Sequence, residues 1–137
     1  MSGWIGVDFD GTLATYGTWV SGSHVGEPIA PMVERVKRWI AEGREVRIFT
    51  ARMWPIAVAQ LDPEAVHLPP GMDMNNEMVR TAMEAIDAIR AWSRQHIGQV
   101  LPITCVKDYG MIELYDDRCV QVRPNTGELV GASTRGL

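Results

Sequence analysis

Trp4-Ile5-Gly6-Val7-Asp8-Phe9-Asp10-Gly11-Thr12 is a short apolar run that ends in two aspartates one residue apart and then meets a glycine. An apolar strand that delivers carboxylates to its own C-terminal tip, with a glycine turn directly after it, is how an α/β sheet presents acidic groups to a ligand crevice. The segment therefore predicts a first strand and a site together. A surface strand that merely ends in an acidic turn has the same local signature, so the rest of the chain decides between the two.

Working outward, residues 14–28 are rich in Gly, Ser and Thr, lack a hydrophobic period and read as a loop. Ile29, Met32, Val33, Val36, Trp39 and Ile40 then recur at helical spacing, with Pro31 at an early helical position and Gly43 at the stop. Residues 46–49 read as a second strand ending at Thr50. Residues 53–74 hold Pro55, Pro63, Pro69, Pro70 and Gly71 and read as a long irregular connection on the side of the site. Met78, Val79, Ala82, Met83, Ile86, Ile89, Trp92 and Ile97 predict a long amphipathic helix closed by Gly98. Residues 103–106, 112–115 and 119–122 predict short strands, and after a turn at 124–127 residues 128–130 pair back as an edge strand.

This alternation of strand and helix predicts an α/β fold, a three-layer Rossmann-like sandwich with a mainly parallel central sheet covered on both faces. One core domain over residues 1–130 is expected, with no full cap domain and a loose tail at 131–137. An apolar fraction of 46% beside 22% charged residues fits an ordinary globular protein, and a net charge of −4 offers no global attraction to nucleic acid or an anionic membrane. Neither a signal-peptide core nor a membrane span is recognisable, so a cytoplasmic protein without a membrane partner is expected. Cys105 and Cys119 form no CxxC and are expected as buried free thiols in strands.

Four segments occur in order along the chain: WIGVDFDGTLA (4–14), VRIFTAR (46–52), ITCVKDYG (103–110) and IELYDDR (112–118). Together they resemble the motifs of the haloacid dehalogenase superfamily of phosphohydrolases, whose members run through an aspartyl-phosphate intermediate. The resemblance implies a small, capless, magnesium-dependent phosphatase. Its nucleophile would be Asp8 and its general acid and base Asp10. Magnesium would sit between Asp8, the backbone carbonyl of Asp10, and Asp116, with Asp117 in a supporting position. Lys107 would hold Asp8 ionised and neutralise phosphate charge. One departure stands out: many members have proline after this lysine, whereas this chain has Asp108, a carboxylate able to draw Lys107 away.

The chemistry requires such a set. A phosphate monoester is dianionic near neutral pH, and each like-charge pair at about 4 Å costs on the order of 4 kcal/mol at an effective dielectric near 20. Asp8, Asp10, Asp116 and Asp117 brought together would destabilise the fold unless a metal or lysine offset them, and oxygen-only ligands suit magnesium. Lys37 falls on the solvent side of the first helix, which leaves Lys107 as the ammonium for the site. Thr50, through its hydroxyl, and the amide of Ala51 are placed to donate to phosphoryl oxygens. Arg52 either binds substrate or pairs with an acid, and Arg118 reads as a structural partner of the acidic cluster.

No GxxxxGK[ST], GxGxxG or GxSxG occurs, and His24, His67 and His96 lack ligand spacing. Trp19 and Trp54 follow the two strands and either line a substrate pocket or pack. Two alternatives to a phosphatase of small phosphorylated substrates remain open. One is a phosphoacceptor or metal-binding module without turnover, against which Asp10 argues. The other is a nucleic-acid end phosphatase, for which residues 33–52 supply six basic against three acidic side chains.

Overall fold

The computed structural model describes residues 2–59 and 76–132. Strand β1 (Trp4–Asp8) leads through a loop to helix α1 (Ala30–Ala41) and strand β2 (Glu45–Phe49). A 3₁₀ turn (Ala51–Met53) and helix α2 (Trp54–Val58) follow, then helix α3 (Asn76–His96), strands β3 (Ile103–Thr104) and β4 (Met111–Tyr115), and a hairpin of β5 (Gln121–Val122) and β6 (Leu129–Val130). The four-stranded sheet has the order β3-β2-β1-β4 and is parallel throughout, while β5 and β6 form a separate antiparallel pair. A mixed α/β fold is thus established.

Pairing of Ile5 with Val46 and Val7 with Ile48 puts these four side chains on one face of the sheet. Val33, Val36 and Trp39 of α1 and Ile89 and Trp92 of α3 bury against that face in a single cluster. Each such side chain contributes about 1.5–3 kcal/mol of burial. Pro31 is tolerated in the first turn of α1 because its missing N–H would have no partner there, and Gly43 ends the helix at a φ of 81°. Phe9 lies between the two aspartates and is fully buried, its ring edge-to-face with Trp92 at 5.0 Å. That anchor fixes the chain between Asp8 and Asp10.

The other face carries Trp4, Gly6 and Arg47. Among the described residues it is closed by the segment that runs from β3 to β4, not by a helix. Trp4 is 1% exposed: its Nε1 donates to Asp108 at 2.8 Å, its backbone N–H to Gly110, and the Arg47 guanidinium stands 4.5 Å above its ring. Asp108 also accepts from the Gly110 N–H and pairs with Arg47, and the Trp4 bond holds its carboxyl below the ordinary range.

Several expectations are corrected. The irregular stretch expected from residue 53 holds the short helix α2, since Pro55 at its first turn starts a helix as readily as it breaks one; residues 60–75, with Pro63, His67, Pro69, Pro70, Gly71, Met72 and Met74, lie outside the described residues. So does the tail from residue 133. The strand expected at 103–106 is only two residues long, and Cys105 beyond it is partly exposed. Cys119 is exposed in a loop, because pairing starts only at Gln121. Met83 of the expected apolar stripe faces solvent. The hairpin of residues 121–130 pairs back as its turn predicts, with Asn125 and Gly127 at positive φ. No helix among the described residues is long and apolar enough to cross a membrane.

Candidate active site

Strand register brings the site together. Val7 stands opposite Tyr115, so the next residues, Asp8 and Asp116, leave the C-terminal ends of neighbouring strands side by side. This depends on a one-residue slip: Trp4 pairs with Met111 but Ile5 with Glu113, leaving Ile112 extra. Without the slip, Tyr115 would stand opposite Asp8. On the other flank Asp8 pairs with Phe49 and Phe49 with Thr104, which sets Thr50 and Cys105 at the same end. β1 has β2 on one side and β4 on the other, so the acids occupy the switch point where such sheets bind ligands.

Asp8, Asp116 and Asp117 each offer a carboxylate oxygen, and these atoms lie within 4.8 Å of one another. Partial burial pushes the Asp8 carboxyl up to about 8, and Asp116, a hydrogen bond with Asp117 and the charges of Asp117 and Asp10 push the same way. Thr12 ties the group together: its Oγ1 accepts from the Asp117 N–H at 3.2 Å and donates to Asp8 in a long contact of 3.4 Å. Gly11 closes the turn at a φ of 88°, and a Cβ there would stand 2.7 Å from Asp117 Oδ2. Gly11→Ala is therefore expected to cost at least about 1 kcal/mol and to displace Asp117, read by urea unfolding. An unchanged unfolding free energy would show the turn to be more permissive than its geometry.

Asp10 is turned to a different partner. Arg52 donates from Nε and Nη2 to its two oxygens at 2.8 and 2.7 Å, a bidentate pair in which both side chains are about one-fifth exposed. The same guanidinium donates from Nη1 to the carbonyls of Gly22 (3.1 Å) and His24 (2.7 Å). Of the two readings for Arg52, pairing with an acid is the one observed. Thr50 is buried and its Oγ1 accepts from the Arg52 N–H at 3.2 Å, which leaves the hydroxyl proton to donate.

Lys107 forms no ion pair with Asp8. It is exposed on the loop after edge strand β3, makes no ion pair among the described residues, and its charge is felt by the Cys119 thiol. Asp108 does not draw it away, since that carboxylate is engaged by Trp4 and Arg47. Arg118 also departs from expectation: only its backbone N–H binds Asp116, at 2.8 Å, and its guanidinium makes no ion pair among the described residues. Burial raises both thiols, with the acids adding to the shift at Cys119, so neither is activated as a nucleophile.

Two cavities meet here. An acidic one of about 510 Å³ is lined by Asp8, Asp10, Thr50, Ala51, Cys105 and Asp116, among others. The second, of about 430 Å³, is lined by Tyr16, Trp19, Trp54, Pro55 and the first turns of α3. Asp10, Ala51, Arg52, Trp54 and Arg118 line both. The sequence marks Gly11 as the turn after the first strand but gives no sign of the part that Thr12 plays, although Thr12 stands in the same motif. Comparison with family models, curated proteins and solved structures finds no match to this chain.

Proposed function

We propose that this chain is a magnesium-dependent phosphomonoester hydrolase of the haloacid dehalogenase type, on a Rossmann-like core whose described part is the parallel sheet and one helical layer. The observation that carries the reading is the meeting of Asp8 with Asp116 and Asp117 at the ends of adjacent parallel strands. The same cluster is the test of fit for the ion. Three close carboxylates repel, and Asp8 answers by keeping its proton up to about pH 8. A divalent cation relieves the same repulsion in place of that proton, and an all-oxygen donor set suits magnesium. Asp8, Asp116 and the Asp10 carbonyl would hold it, with Asp117 close enough to ligate or support. When bound, the ion supplies the positive charge that lets a carboxylate approach a phosphate dianion.

The remaining steps belong to the chain. An Asp8 oxygen attacks phosphorus, the ester P–O bond breaks, and the leaving oxygen takes a proton from Asp10. Asp10 then takes a proton from water, which attacks phosphorus, frees Asp8 and releases inorganic phosphate. The Thr50 hydroxyl and the Ala51 amide donate to the phosphoryl oxygens, while Arg118, which lines the cavity, is the cation at its mouth. Phosphate release from an aryl phosphate should require magnesium and stop in EDTA. Release that persists undiminished in EDTA would overturn the metal-dependent reading.

Magnesium binding should also depend on pH. Because Asp8 would have to give up its proton to hold the ion, the apparent Kd should fall about tenfold per unit from pH 5 towards 8 and level off above. Titration calorimetry at three pH values measures this. A flat profile would remove Asp8 from the ligand set.

One observation favours a second reading, a phosphoacceptor without turnover: Arg52 engages both oxygens of Asp10. One of these bonds must open before Asp10 moves a proton. A stable, acid-trapped acyl phosphate without phosphate release would select this reading.

A further inference from the structure

We propose that the aromatic cleft beside the acidic cavity receives a nucleobase, so that the substrate of the hydrolase proposed above is a nucleoside phosphomonoester; the inference rests on that function. Five residues line both cavities, so one ligand with a charged end and a flat apolar end spans them. The cleft has the ordinary size of a small-molecule site, about 430 Å³. Trp19 and Tyr16 at its rim are 73% and 50% exposed, and neither they nor Trp54 stack on another ring among the described residues.

Exposed aromatics on a loose loop would mean little. This loop is tethered. Arg52 holds the Gly22 and His24 carbonyls, Trp92 Nε1 donates to the Gly26 carbonyl at 2.9 Å, and the Thr15 N–H donates to the Glu27 carbonyl at 2.8 Å. The rings are thereby presented beside a cavity that leads to Asp8. Ser21, Glu77 and Thr81 add hydrogen-bonding groups to the lining that a base can use and a bare phenyl ring cannot. Arg118, shared by both cavities, lies where the phosphate end would enter.

The test compares Mg²⁺-dependent kcat/KM for 5′- and 3′-nucleoside monophosphates, phenyl phosphate and glycerol phosphate in the wild type and Trp19→Ala. A 5′-phosphorylated oligonucleotide separates a free nucleotide from a strand end as the source of the base. The expected result is a preference for nucleotides over glycerol phosphate of tenfold or more, reduced at least about fivefold in Trp19→Ala, as lost stacking on a base predicts. Equal rates for all substrates, a preference for phenyl phosphate, or a preference unmoved by Trp19→Ala would overturn the inference while leaving the hydrolase intact. Should no substrate release phosphate, the hydrolase reading fails instead. Titration of adenosine against tryptophan fluorescence then judges the cleft alone: saturable quenching lost in Trp19→Ala supports a base site, and none overturns it.

Discussion

Asp8→Asn is expected to lower phosphate release by at least about a thousandfold, because the amide cannot form the acyl phosphate. The fold should tolerate it, and the metal-free protein should become more stable near pH 8. The sign follows from the Asp8 carboxyl, pushed from its ordinary 3.8 up to about 8 in the folded state. Between these values the folded chain binds more protons than the unfolded one, so wild-type stability falls as pH rises across that window. Asparagine removes this slope. Thermal melts at pH 4.5 and 8 in EDTA should show the variant's advantage growing with pH, and added magnesium should narrow it at pH 8 by stabilising only the wild type. Phosphate release retained in Asp8→Asn would exclude Asp8 as the nucleophile, and parallel melts at both pH values would show that the acids do not strain the fold.

Arg52→Ala should be the most destabilising single change near the site, at about 2–3 kcal/mol. Unpairing one member of a fully buried ion pair costs about 3–5 kcal/mol, and the one-fifth exposure of Arg52 and Asp10 lowers that figure. The loss includes both bonds to Asp10 and the two loop carbonyls, so proteolysis within residues 14–28 should accelerate as well. Arg52→Lys should rescue little, since an ammonium cannot make the two-pronged contact. Urea unfolding of Arg52→Ala, Asp10→Asn and the double variant gives the coupling directly. A change within 0.5 kcal/mol of the wild type would mean that the pair is ornamental to the fold. If Arg52 also restrains Asp10 during turnover, the pH profile of kcat should move in Arg52→Ala, which a purely structural loss would not produce.

Local chemistry made much of this legible in advance. The apolar run before Asp8 could bury only as a strand, the spacing from Ile29 to Ile40 only as a helix with one wet face, and Gly43 and Gly98 sit at positive φ where the helical periods stop. The acidic ends of the first and last motifs announced a charged crevice, since two strand tips in a parallel sheet point the same way. Those signals act within a few residues, so sequence carries them.

What lies between distant segments was decided by the tertiary structure. Ile112 is the extra residue that seats Asp116 beside Asp8, and a slip of register leaves no local mark in composition. Thr12 bridges Asp8 to Asp117 and Arg52 spans 42 positions to Asp10, choices made by which side chains packing leaves within reach. Lys107 carries the right charge at the right motif, yet two strands separate its edge strand from β4, whose end holds Asp116, and no ion pair among the described residues holds it. Residue types and their order therefore determined the elements and the acidic chemistry. The closeness of the groups, and with it the raised Asp8 carboxyl and the cleft beside it, arose only when the strands were aligned and burial took the acids partly out of water.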